Sequence, residues 1–561
     1  MLKKALKIIA FILIAVLLFF AVQYILTPSW NSYSSCDSTI QGFFALEKNS
    51  IDVLFLGTSH TFDGVSPMRL YEVSGIRSYN LATTSQPIEC SYILLKQAFE
   101  SQQLKVVFLD VSKMFDDKGK DTPYYRNVMD NLYGRSAYLE FAKIYAETED
   151  NEGFWSAAFP IIKYHTRWQK LSEADMHRSG GLYYSMGYHV RSFVGNPAPT
   201  LESLDKYNSR LLNRGSGTVV SSEGGETTSS EFADPVFNPV ISDRFTEYME
   251  KMHALCEQHG AELILMNVPA LENALKGGWS TVKLEAVTEY AEEHGIELLD
   301  MHYADIVDPV TDFIDGGGHL NLSGAEAVTD YISDFLCLRK SDLPSFGTCS
   351  AQFEDAFAKY DKIRSVANLQ MERDLKGYLE MLNENKEHLT VLISSRSNFA
   401  PGLQAEEIEA FRALGLDLIG NGKAYDTYLA VIRNGKVVQE ALSDRRLTYT
   451  ATLGGHEINM ATNSSYERGS NTIEVDGVSH SMNKVGLNIV VWDNETDLPI
   501  DSLSFGTDKE THAAERTKNK IDDLLDDYEK AFLDLPEFQQ KKDAALLTPV
   551  RSAFAHGRAD R

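Results

Sequence analysis

Ile51-Asp52-Val53-Leu54-Phe55-Leu56-Gly57-Thr58-Ser59-His60 is a short apolar run that stops at a glycine and is followed at once by a serine and a histidine. A run of this length ending in a turn residue reads as a strand buried on both faces. Working outward from it, Met68–Ser74 has helical spacing and Ile76–Leu81 reads as a second strand. Ile88–Ser101 is an amphipathic helix and Val106–Val111 a third buried strand. Helices between apolar strands mean βαβ units, so the spacing predicts an α/β domain built on a parallel sheet. In such sheets ligands bind beyond the carboxyl ends of the strands. Gly57 lets the chain turn there and lifts the Ser59 hydroxyl to that edge.

The alternation is lost over residues 116–240, which carry Tyr124, Tyr125, Trp155 and Trp168 and then a Gly/Ser/Thr stretch, Gly215–Ser230. A helical cap insertion followed by a flexible loop is expected. The α/β pattern resumes with a helix from Asp243 to about His259, a strand Glu262–Val268, a helix Thr281–His294 and a strand Ile296–Leu299. A loop, Asp312–Ser323, leads into a helix Gly324–Leu338. The first domain therefore spans 31–345. Residues 346–387 read as linking helices rich in Glu, Lys and Leu.

Residues 388–508 have a different texture and predict a smaller, β-rich α+β domain. Its strands are Leu389–Ser394, Tyr428–Ile432, Lys436–Gln439, Thr472–Val475, Gly486–Trp492 and Ser502–Phe505, with a helix Ala405–Leu414. Asn434-Gly435 between two apolar runs is a hairpin signal. The remainder, 509–561, is a charged helical segment ending in a polar, disordered tail.

Among 561 residues, 53 are Lys or Arg and 80 are Asp or Glu, a formal charge of −27. Such a surface repels phosphate backbones and speaks against nucleic-acid binding. Residues 1–30 begin with Lys3, Lys4 and Lys7 ahead of an apolar run from Ile8 to Val22, extended by Tyr24, Ile25 and Leu26. Its length matches a hydrocarbon core, and the lysines favour a cytoplasmic N-terminus with the bulk of the chain extracytoplasmic. A cleaved signal peptide is the rival reading. The stretch Gln23–Pro28 offers no small-x-small site, which favours a single-pass anchor. The five cysteines show no metal-ligand spacing, so no metal site is expected. Cys337 and Cys349 are a candidate pair.

Two stretches carry candidate chemistry. Gly57-Thr58-Ser59 places a hydroxyl after a strand. Asp312-Phe313-Ile314-Asp315-Gly316-Gly317-Gly318-His319-Leu320-Asn321 precedes the last helix of the same domain. A serine nucleophile needs a base, and a histidine base needs an acceptor that holds its tautomer. One glycine-rich loop carrying Asp and His can supply both. Each stretch also has a plainer reading, a capped turn for the first and an Asp-Gly turn with a helix cap for the second.

Together these stretches resemble the SGNH (GDSL-like) hydrolase superfamily over residues 50–340. The resemblance implies a three-layer α/β fold, Ser59 as nucleophile, His319 as base and Asp315 as the acid that orients it. Tyr79-Asn80-Leu81-Ala82-Thr83-Thr84-Ser85 is similar to the second block, so the Ser59 and Ser85 N–H groups are the expected oxyanion donors. The family's Gly is absent from that block. Its third-block Asn is also missing, because the chain reads Leu109-Asp110-Val111-Ser112. The Asp-to-His spacing is four rather than three. Ser112, His60, His165 and Arg167 are candidates for substrate contact, the last two from His165-Thr166-Arg167-Trp168 in the cap.

Within that superfamily the layout resembles bacterial envelope proteins of D-alanyl transfer and alginate O-acetylation. That likeness implies a serine esterase or O-acyltransferase needing no cofactor, acting on an envelope glycan or wall polymer beside a membrane-bound O-acyltransferase. Gly486–Asp493 with Ile500–Phe505, and Leu392-Ile393-Ser394 with the helix Glu406–Leu414, resemble an interleukin-like EMT inducer (PANDER-like) domain with its halves in reversed order. This implies carbohydrate or partner binding. The departures from the SGNH blocks leave open a scaffold without catalysis.

Overall fold

The computed structural model describes residues 2–29, 36–114, 122–147, 153–171, 175, 185–190, 241–270, 281–302, 304–309, 311–314, 319–339, 351–464, 469–507, 512–516, 518–533 and 535. These residues form two compact units, the first drawn from 2–189 and 241–360, the second from 190 and 361–535.

In the first unit, β1 (Val53–Leu56), β2 (Ser78–Asn80), β3 (Val106–Asp110), β4 (Glu262–Asn267) and β5 (Glu297–Asp300) make one sheet in the order β2-β1-β3-β4-β5. Every pairing is parallel. The chain steps from β1 to β2 on one side, then to β3 on the other. The direction of winding therefore reverses between β1 and β3, and such a reversal opens a crevice at the strands' carboxyl ends. Val53, Phe55, Val106, Phe108, Ile264 and Met266 share one face and pack with Leu70, Val328, Ile332 and Leu336 of the covering helices. Leu54, Leu56, Val107, Leu109 and Leu265 alternate with them and are just as buried. Burial on both faces is why these strands are continuous apolar runs.

Asp52 is buried just before β1 and pairs with Arg77 at 2.9 Å and Lys105 at 2.7 Å. It ties the amino ends of three strands together and leaves the opposite edge to the site. A small antiparallel ladder, β6 (Phe313–Ile314) with β7 (His319–Leu320), precedes the helix Leu322–Leu338.

The described part of 116–240 is mostly helical: Thr122–Met129, Arg135–Ala146, Gly153–Ala158, Pro160–Tyr164 and a 3₁₀ turn His165–Gln169. Arg126 and Asp130 are fully buried there, and the hydroxyls of Tyr138 and Tyr164 donate to Asp130. Gly215–Ser230 lies outside the described residues. The N-terminal helix Leu2–Leu26 is exposed over Lys3–Val22 and strongly apolar, with mean hydropathy 3.0. Length and composition suit a membrane anchor or a signal sequence. Cys90 and Cys256 are buried thiols and Cys337 an exposed one. Burial pushes the Cys256 thiol up to about 12. Cys349 lies outside the described residues.

The second unit is antiparallel. β8 (Leu389–Arg396), β9 (Thr427–Arg433), β10 (Lys436–Ser443), β11 (Leu447–Leu453), β12 (His456–Asn463), β13 (Ser470–Val475), β14 (Val478–Ser479), β15 (Gly486–Asp493), β16 (Leu498–Phe505) and β17 (Ala514–Arg516) form two sheets, β10-β9-β8-β15-β16-β17 and β11-β12-β13-β14. Leu392, Leu429, Val431 and Val490 of the larger sheet meet Ile458, Met460, Ile473 and Val475 of the smaller. Residues 351–360 pack in the first unit, where Ser66 Oγ donates to Tyr360 at 3.1 Å. Residues 361–387 belong to the second, whose helix Leu375–Asn385 buries Tyr378, Leu379 and Leu382.

His456 links two turns of this unit. Its Nδ1 lies 2.6 Å from Asp476 and its Nε2 lies 2.8 Å from Asp497. Bonding a carboxylate through each nitrogen requires the doubly protonated ring. The hydrogen bonds to Asp476 first, and Asp497 next, raise its pKa. A raised native value means the stabilisation is fully present below the unfolded pKa and is lost as pH rises through the native one. The melting-temperature advantage of wild type over His456→Gln should therefore be largest near about pH 6 and vanish at alkaline pH; a constant difference would show that charge plays no part.

Candidate functional site

The site grows from the turn after β1. β1 pairs with β3 at Phe55↔Phe108 and Leu56↔Leu109, so Gly57 runs beside Asp110. A Cβ on Gly57 would collide with Thr61 Oγ1 and with Asp110 Cβ, which is why glycine stands there. Asp110 is buried and gathers donors from the whole turn. Its Oδ2 accepts from Thr58 Oγ1 at 2.9 Å, Thr58 N–H at 3.3 Å, Thr61 Oγ1 at 3.2 Å and Ser112 Oγ at 2.8 Å. Its Oδ1 accepts from Ser112 N–H at 2.9 Å. Asp110 thus fixes where the helix Ser59–Gly64 begins. Asp110→Ala would strand these buried donors. It is expected to cost about 2–4 kcal/mol in urea unfolding, and a loss under ~0.5 kcal/mol would show that water replaces the carboxylate.

Ser59 is the first residue of that helix, at the carboxyl end of β1. His319 arrives from a position 260 residues later, and its Nε2 stands 2.8 Å from Ser59 Oγ. Several contacts hold β7 in place. Ile314 pairs with His319, and Asn321 N–H donates to the Asp312 carbonyl at 3.0 Å. Asn321 is buried, caps the following helix through Gly324 N–H at 3.1 Å, and donates from Nδ2 to the Thr311 carbonyl at 2.6 Å. Gly324 lies so near the loop that a Cβ would sit 2.9 Å from Leu320 Cδ2. Asp312 is buried in the same staple: Asp308 N–H, Thr311 Oγ1 and Ser323 Oγ donate to its two oxygens at 2.8, 3.0 and 2.8 Å. Asp315, the expected partner of His319, lies outside the described residues.

The segment after β2 approaches the same turn. Thr83 N–H donates to the Gly57 carbonyl at 3.3 Å and Leu81 N–H to the Phe55 carbonyl at 2.8 Å. Ser85 follows in a left-handed conformation, φ +46°. The His60 ring lies 5.2 Å from that of His319. His60 and Ser112 line a small pocket with Asp110, Asn267, Val268, Ala270 and His302, of about 10 Å³, room for roughly one water. Asn267 Nδ2 donates to Asp300 at 3.0 Å. His302 Nδ1 accepts from Ala270 N–H at 3.4 Å.

The structure therefore brings Ser59, His319, His60 and Ser112 to one strand edge and carries the Ser85 segment alongside β1. It does not bring His165 or Arg167 there. His165 is exposed, with Nδ1 2.8 Å from the Ile162 carbonyl. Arg167 donates to the Leu26 carbonyl at 2.8 Å and pairs with Asp175 at 2.7 Å. Asn267 and His302 were not singled out from the sequence. A signal existed: both are polar residues at or just beyond the carboxyl ends of apolar strands, as Ser59 and Asp110 are. No protein-family model matches the chain, and no curated protein matches it.

Proposed function

We propose that the first unit is an SGNH-type serine esterase or O-acyltransferase of the cell envelope, anchored by its N-terminal helix. The observation that carries this reading is the 2.8 Å contact between Ser59 Oγ and His319 Nε2 at the switch point of a parallel sheet. Ser59 Oγ attacks an ester carbonyl while His319 Nε2 takes its proton. The tetrahedral oxyanion leans on the Ser59 and Ser85 N–H groups, at roughly 3 kcal/mol per donor. Collapse releases the alcohol, protonated by His319, and leaves an acyl-serine. Water or a glycan hydroxyl then takes the acyl group in the reverse sequence. The acceptor is an envelope glycan or wall polymer, with a membrane-bound O-acyltransferase as the neighbouring donor system. The antiparallel unit, with its resemblance to the interleukin-like EMT inducer domain, is the carbohydrate- or partner-binding part.

Labelling with a fluorophosphonate tests the reading: the wild type should be labelled and Ser59→Ala should not. A scaffold without catalysis is the second reading, favoured by the missing third-block Asn donor and by the four-residue spacing from Asp315 to His319. Under that reading neither protein is labelled.

The acid behind His319 is assigned to Asp315, because Asp312 already spends both oxygens on its own loop. Asp315→Asn should lower the maximal rate about 10²–10⁴-fold with little change in KM. Asp312→Asn should instead lower the urea midpoint. The opposite ranking would transfer the role to Asp312.

A further inference from the structure

Residues 153–171, Gly-Phe-Trp-Ser-Ala-Ala-Phe-Pro-Ile-Ile-Lys-Tyr-His-Thr-Arg-Trp-Gln-Lys-Leu, hold two of the chain's five tryptophans. They also hold three basic residues and no acidic one, in a chain whose formal charge is −27. They fold as two short helices and a 3₁₀ turn that bury Ala157, Ala158, Pro160 and Tyr164. The bulky apolar side chains are left outside: Trp155 is 68% exposed, Trp168 65% and Ile162 50%. Two exposed tryptophans with an exposed isoleucine are a costly surface in water and mark a place of contact.

The neighbouring element says what the contact is. The carboxyl end of the N-terminal helix packs on this segment, with Gln23 and Leu26 buried and Ile25 half-buried, while Lys3–Val22 and Tyr24 are exposed. Arg167 caps the helix by donating to the Leu26 carbonyl at 2.8 Å. Further back, the Phe19 ring meets that of Phe159 at 6.2 Å, and Phe159 stacks on Trp155 at 6.1 Å. Phe19 lies seven residues before Leu26, about 10 Å along a helix axis. The apolar run Ile8–Leu26 is about 28 Å long, against a hydrocarbon core of about 30 Å. A helix that fills that core puts Leu26 at its boundary. Phe159 and Trp155 then lie at or below the headgroups, and Arg167 lies at headgroup level.

We infer that residues 154–171 form a foot immersed in the lipid–water interface at the carboxyl end of the N-terminal helix, and that its occupant is the phospholipid bilayer. The inference rests on the reading that this helix is kept as an anchor. Tryptophan is the side chain that interfaces favour, and amphipathic surface segments sink about 5–10 Å into that zone. Lys163 and Lys170 meet lipid phosphates, while Arg167 is held by the Leu26 carbonyl and Asp175 and fixes the segment to the helix end. The foot sets the height and tilt of the Ser59 domain above the membrane, which a single helix cannot do.

The test uses the full chain reconstituted in vesicles of phosphatidylcholine and phosphatidylglycerol, with brominated phosphatidylcholine as tryptophan quencher. Wild type is compared with the Trp155→Phe/Trp168→Phe double variant and with each single variant. Both residues are exposed, so the fold should survive. The quenchable part of the emission should fall by about half or more in the double variant. Unchanged quenching in a chain that stays in the vesicles would overturn the foot and leave a protein partner as the occupant of the patch. Release of the chain from the vesicles by alkaline carbonate would instead defeat the anchor reading, and the foot with it.

Discussion

His319→Ala is expected to slow fluorophosphonate capture of Ser59 by about 10²–10⁴-fold, the range that a positioned general base contributes. The imidazole Nε2 sits 2.8 Å from the hydroxyl, within reach of the proton that must leave as Oγ attacks. Without it, Ser59 is an ordinary alcohol. His319 is only half-buried in a two-residue strand, so its truncation should leave the urea midpoint nearly unchanged. That separates a chemical loss from a folding loss. His60→Ala is the control, because its ring lies 5.2 Å from His319 on the pocket side and should alter rate far less. Equal labelling rates in His319→Ala and wild type would remove the base from the mechanism. Labelling that persists in Ser59→Ala would move the nucleophile elsewhere.

Asp501→Ala should destabilise the second unit by about 3–5 kcal/mol, the cost of leaving a buried charge without its partner. Asp501 and Arg516 are both fully buried, 3.0 Å apart. Arg516 also donates to the carbonyls of Glu372 at 2.8 Å and Leu369 at 3.0 Å, so it pins β17 to the helix Ala351–Met371. Tyr378 donates to Asp501 at 3.0 Å. Burial first, and the Asp501 charge next, hold that phenol well above its ordinary pKa, so it remains a donor. The comparison is Asp501→Leu with Arg516→Met, which removes both charges and should recover much of the loss. Urea unfolding followed by the fluorescence of Trp492, packed beside the unit's core, reads both variants. Additive losses in the double variant would show that the pair is not coupled.

Most of the regular elements were legible from the chain, since their signals are local. The helices Ile88–Ser101, Asp243–His259 and Thr281–His294 fall where spacing and flanking residues put them. The Asn434-Gly435 hairpin joins β9 to β10 as its dipeptide requires. β11 and β12 carry a weaker signal, although Leu447–Leu453 alternates strictly and Gly454-Gly455 is a turn. Threonine and charge at the outward positions diluted the apolar count. Residues 346–387 read as a linker because their charge is high. Their apolar residues are nonetheless committed to two different cores, a fact that composition averages away.

What the sequence determined by itself was periodicity and chemistry: where most strands and helices lie, that the first sheet is parallel, that a helix at the start is apolar enough to span a membrane, and that Ser59 follows a strand while His319 stands in a loop before a helix. Only the tertiary structure decided their meeting. A separation of 260 residues carries no local signal, and the 2.8 Å contact depends on a strand order that reverses between β1 and β3. The same holds for Asp110, which carries no signal of its own in the sequence and is the acceptor that holds the Thr58 turn in place. It holds equally for Arg167, which looked like a substrate contact and caps the N-terminal helix. A side chain's type limits the bonds it can form, whereas its partner is whatever donor or acceptor the packing of distant segments leaves within about 3 Å.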